Sequence, residues 1–107
     1  MNRPEKRVCQ MRHFKNRVWQ RYGLRISTDT YQAMVRAIKN GTAEWVIIHG
    51  KVLKVRATFI ERSTNRVTLW SLQFSGIDGE IRAAYDKHRA TLVTAHPALA
   101  TPTEEAA

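Results

Sequence analysis

The apolar period of this chain changes once, at Asn40-Gly41, and that change confines it to a mixed fold. Before it, apolar residues recur at three- and four-residue steps; after it, they alternate. Val8, Met11, Phe14, Val18 and Tyr22, with Trp19 widening the stripe, predict a helix over residues 4 to 22 that Gly23 stops. Ser27 or Thr28 caps a second helix, with Asp29 favourable in its first turn. Its apolar face is Tyr31, Met34, Val35 and Ile38, and Asn40-Gly41 ends it. The connector "LRIS" is short, so the two helices lie side by side or across one another.

The second half reads as strands. "EWVIIH" is β-rich, and Gly50-Lys51 suits a tight turn. In "VLKVRATFI", Leu53, Val55, Ala57 and Phe59 face one way, with Lys54, Arg56 and Thr58 on the other. "VTLWSLQF" is ambiguous, which suggests a strand covered on both faces. "EIRAAYD" is a further strand, "DKHR" a hairpin loop, and "ATLVTAHP" a last strand stopped by Pro97. The expected fold is α+β: two N-terminal helices packed on a four- to five-stranded antiparallel sheet. Residues 1–97 form a single basic domain, and 98–107 a flexible C-terminal tail. Trp19 and Trp45 are expected in the core.

Net charge is +9, and residues 1 to 25 carry eight Lys or Arg against the single acid Glu5. A polyanion should therefore meet the leading helix, and RNA is the first candidate. An acidic protein surface, such as an antitoxin or a host target, has the same appeal. No apolar run reaches the length of a membrane span, and one cysteine, Cys9, fits a reducing cytoplasm. No cofactor is expected.

At 100° per residue, Arg3, Lys6, Gln10, His13, Arg17 and Arg21 fall within an arc of about 80° on the first helix. The plain account of such a row is a solvated basic face. The functional account is a phosphate grip, because the guanidinium fork holds phosphate oxygens bidentately. A neutral imidazole such as His13 can serve as a general base. His96 or His49 would be the second proton carrier, and Thr94, on one strand face with His96, would position phosphate. Arg12, Lys15, Arg21, Lys54, Arg56 and Arg82 complete the candidate nucleic-acid contacts, the last three if the helix packs beside the sheet. Cys9 and His13 are four apart, half a zinc site at best, so no metal site is expected. RNA brings its own 2′-hydroxyl nucleophile, so imidazole and guanidinium suffice for cleavage without metal.

The segments "RHFKNRVWQRYGLRIS", "IKNG" and "AAYDKHRATLVTAHP", in that order, resemble small phage and toxin domains of the barnase–colicin–RelE-like ribonuclease superfamily. The shared features are a His and following Arg residues before Arg21-Tyr22-Gly23, Tyr85-Asp86-Lys87, and Val93-Thr94 with Pro97, across roughly residues 12 to 97. The resemblance implies a metal-independent endoribonuclease of toxin or phage type, with His13, Arg17 and Thr94 on the active face. The chain departs from that pattern in its extra basic N-terminal segment and in His96, where an apolar residue is usual. The alternative is a non-catalytic, phage-encoded inhibitor that occupies a host nucleic-acid-processing complex.

Overall fold

A computed structural model describes residues 6–96. Arg3, Pro97 and the tail expected over 98–107 lie outside the described residues.

The chain folds as two helices followed by five strands, an α+β arrangement. Helix α1 spans Lys6–Tyr22 and α2 spans Thr28–Asn40. The strands are β1 Glu44–Ile48, β2 Lys51–Arg62, β3 Val67–Phe74, β4 Glu80–Asp86 and β5 Thr91–His96. They pair antiparallel in chain order, so β1 and β5 are the two edges. Ser27 is the N-cap of α2, its hydroxyl accepting from the Thr30 amide at 3.1 Å. Gly41 closes that helix with φ +68°, a conformation that costs a side chain and suits glycine. No helix among the described residues is long and apolar enough to cross a membrane.

The helices divide the sheet between them. α1 lies against β5, and α2 lies over β1 and β2. Phe14 and Val18 of α1 and Met34 of α2 are fully buried against Val55, Leu72 and Leu92 of the sheet. Tyr31 stands between the layers. Its ring meets Phe14 edge-on at 5.7 Å, and its hydroxyl donates to the Leu92 carbonyl and accepts from the Leu92 amide. That double bond satisfies a buried polar group and locks α2 to β5.

Register sorts the remaining residues. On the inner face, Ala57, Leu72 and Ile81 are cross-strand neighbours, as are Trp70, Ala83 and Ala95. On the outer face, Thr58, Ser71, Arg82 and His96 form one row, with Arg56, Gln73 and Glu80 in the next. β3 is thus resolved: Thr68, Leu72 and Phe74 are buried inward, and Ser71 is buried from the outside.

Two expectations require correction. Trp19 and Trp45 are not core residues; they are 49% and 64% exposed. On α1, Phe14 and Val18 already fill the face toward the sheet, and Trp19 points past them. Trp45 pairs with Lys54 on the outer face while its neighbour Val46 points inward. Each indole is instead covered by a cation, Arg25 at 4.6 Å and Lys54 at 4.8 Å. The first hairpin also turns one residue earlier than expected. Ile48 pairs with Lys51, leaving His49-Gly50 as a two-residue loop in which both φ are positive, 52° and 78°.

Candidate nucleic-acid interface

The basic row of α1 runs along the free edge of β5. Its first described polar member in contact with the sheet, Gln10, accepts a hydrogen bond from the Thr91 hydroxyl at 2.6 Å. Its last, Arg21, donates to the Ala95 carbonyl. Helix and strand therefore ascend together, and His13 and Arg17, on the same arc, are carried along the strand between those two anchors. His13 is exposed and Arg17 half-buried, its guanidinium donating to Gln20 at 3.0 Å.

A bulge decides which face of the sheet carries Thr94 and His96. Strict alternation would place Leu92, Thr94 and His96 on one face. Tyr85 pairs with Leu92 and Ala84 with Thr94, so Val93 is an extra residue. Leu92 is then buried inward, while Thr94 and His96 turn to the outer face, beside Arg82. Tyr22 fixes the far end: its hydroxyl donates to the His96 carbonyl at 2.7 Å and accepts from the Arg82 amide at 3.3 Å.

The structure thus sets His13, Arg17 and Arg21 along α1 beside β5, and Arg82, Thr94 and His96 together on the outer face of β4 and β5; among the described residues no hydrogen bond joins the side chains of the two groups. The structure does not bring the rest to either group. Arg56 and Lys54 share the outer face but sit on β2, two strands away from β4, with Glu80 in the row that holds Arg56. The Ser71 hydroxyl holds that Glu80 carboxylate. Lys15 points toward α2 and donates to the Thr28 hydroxyl at 2.9 Å. Arg12 is exposed on the side of α1 away from the row. His49 lies in the β1–β2 turn at the opposite edge of the sheet, where its Nε2 accepts from the Arg25 amide at 3.2 Å. His13 precedes Arg21 by eight residues, about 12 Å along the axis. His13 and His96 therefore face different points of any strand laid on the ridge.

Charge on the ridge is uncompensated. Among the described residues, ion pairs are confined to Arg36–Glu44, Arg66–Asp86 and Arg89–Asp86, and α1 contains no acid in its described span. Asp86 belongs to the β4–β5 hairpin. Burial opposes its charge, but the Arg89 amide and guanidinium, the His88 amide and the nearby Arg66 outweigh burial and hold its carboxyl below its ordinary range. Cys9 is exposed, and the described residues form no cluster of three or more His, Cys, Asp or Glu.

Sequence reasoning missed Tyr22 as a positioning residue, since its helical spacing marks it only as part of the apolar stripe. It placed Gln10 in the arc on the first helix but missed its partner Thr91, 81 residues away. No protein-family model, curated protein or solved structure matches this chain.

Proposed function

We propose that this protein binds RNA, laying the phosphates of a strand along the ridge where α1 runs beside β5. The observation that carries this reading is the carboxylate-free row His13–Arg17–Arg21, aligned with β5 by the Gln10–Thr91 and Arg21–Ala95 hydrogen bonds. Four-residue steps on a helix rise about 6 Å, so Arg17 and Arg21 offer cations to successive phosphates, and His13 offers a hydrogen-bonding imidazole one step further on. Arg82 extends the positive edge onto the outer face, where Thr94 and His96 supply hydrogen-bonding groups.

Cleavage of the bound strand is a second reading, favoured by one observation: His96 and Arg82 are cross-strand neighbours on the outer face. Tyr22 bonds their backbone groups, and Arg21 bonds the adjacent Ala95 carbonyl. The 2′-hydroxyl of RNA would be the nucleophile, with His96 moving a proton and the guanidiniums neutralising charge that develops on the phosphoryl oxygens. The resemblance to toxin-type ribonucleases supports this reading. His13 with Arg17 would serve the neighbouring linkage.

Fluorescence anisotropy with a labelled single-stranded RNA, in EDTA, tests the binding claim. Affinity should fall linearly on a log–log plot against salt, and Arg17→Ala should reduce the slope by about one. Binding indifferent to salt, or absent at low salt, overturns the proposal. Gel analysis of the same mixtures reads cleavage, which His96→Ala should abolish if it occurs.

A further inference from the structure

A second basic site lies at the start of α1, on the flank that faces α2. A cavity of about 460 Å³ opens between the start of α1, the outer side of α2 and the β4–β5 hairpin. Its floor is apolar, with Val8, Met11, Val35 and Ala90, and the Tyr31 ring forms part of its wall. Around it stand Arg7, Arg36, Lys39 and Arg89, with no carboxylate in the lining. The volume lies within the range of small-molecule sites, and so does the combination of apolar floor and few charged groups.

Charge bookkeeping narrows the ligand. Arg36 is paired with Glu44 at 3.1 Å, and Arg89 with Asp86 at 3.1 Å. Arg7 and Lys39 have no carboxylate partner among the described residues. Two uncompensated cations match a phosphomonoester, which carries about −1.5 to −2 at pH 7. The floor calls for a flat, largely apolar body attached to that phosphate. Gln32, also in the lining, offers an amide able to both donate and accept, as a base edge requires.

We propose that this cavity binds a nucleoside monophosphate, the base on the Met11–Val35 floor and the phosphate between Arg7 and Lys39. The same chemistry is presented by a free nucleotide and by the phosphorylated 5′ end of an RNA strand. The site shares Thr91 with an anchor of the α1–β5 ridge but none of the ridge's cations, so Arg7 and Lys39 test it apart from the ridge.

Isothermal titration calorimetry of the full chain with adenosine and guanosine 5′-monophosphates tests this. At least one nucleotide should bind at least about tenfold more tightly than either adenosine or inorganic phosphate alone. The Arg7→Ala, Lys39→Ala double variant, altered at two exposed positions, should weaken that binding by about tenfold or more, whereas Arg17→Ala should leave it unchanged. No heat of binding with either nucleotide at millimolar concentration overturns the proposal. So does binding no tighter than that of inorganic phosphate, or binding that the double variant retains. Competition by 5′-phosphorylated but not 5′-hydroxyl oligoribonucleotides would assign the site to strand ends. Nucleotide binding without that preference would assign it to the free monophosphate. Either supports the site.

Discussion

The Tyr22 hydroxyl donates to the carbonyl oxygen of His96 at 2.7 Å, joining the last turn of the first helix to the last residue of the last strand. The Tyr22 hydroxyl oxygen also accepts from the Arg82 amide, so one phenol serves two backbone groups at the end of the sheet. Tyr22→Phe removes both bonds and keeps the ring. It should cost about 1–2 kcal/mol, read as a lower urea midpoint with unchanged slope. A variant as stable as the parent would show that these groups find other partners.

The Val93 bulge makes a sharper prediction. Deleting Val93 removes the unpaired residue and keeps Leu92 inward and Thr94 outward in their present pairs with Tyr85 and Ala84. Because no buried side chain changes face, the deletion should leave a cooperative thermal transition. Differential scanning calorimetry checks it, and loss of the transition would mean that β5 depends on the kink that the bulge makes.

Tyr31 predicts an alkaline limb in stability. Burial pushes its phenol up to about 12, the Leu92 hydrogen bond opposes this, and Tyr85 adds to it. A folded-state pKa above the unfolded value near 10 gives stability fully present below pH 10 and lost as pH rises toward 12. The full shift corresponds to about 2–3 kcal/mol. Urea titrations between pH 9 and about 12 should show this decline, and Tyr31→Phe should flatten it from a lower starting stability.

At the acid end Asp86 acts in the opposite direction. Its carboxyl is held below the ordinary value of 3.8, so its contribution is present above that value and is lost as pH falls through the folded pKa. Asp86→Asn should weaken the protein at neutral pH, with a smaller further loss below about pH 4 than the parent shows. An unchanged acid limb would exclude Asp86 as its source.

Much of this architecture was legible before any coordinates. The 3.6-residue stripe of Phe14 and Val18, the Ser27 cap, the Gly41 stop and the alternation of Leu53, Val55 and Ala57 are local signals, and local physics read them correctly. What escaped was non-local or phase-dependent. Trp19 and Trp45 read as core because an indole is mostly apolar, and nothing in the period reveals a cation lying over the ring. The Val93 bulge leaves no mark in "TLVTAH", though it sets where Thr94 and His96 point. The row on α1 was visible as an arc, but its alignment with β5, and the separation of Arg56 and Lys54 from it, depend on strand order. Arg7 and Lys39 lie 32 positions apart, and only the packing of α1 beside α2 brings them to one cavity.

Backbone amide NMR during titration with a short single-stranded RNA tests the central claim most directly, because it locates contact without mutation. Shifts should concentrate at Gln10, His13, Arg17 and Arg21 on α1 and at Arg82, Thr94 and His96 on the adjoining strands, and recede as salt is raised. Shifts confined to β1 and β2, or none at RNA saturating by charge, would contradict the ridge as the binding surface.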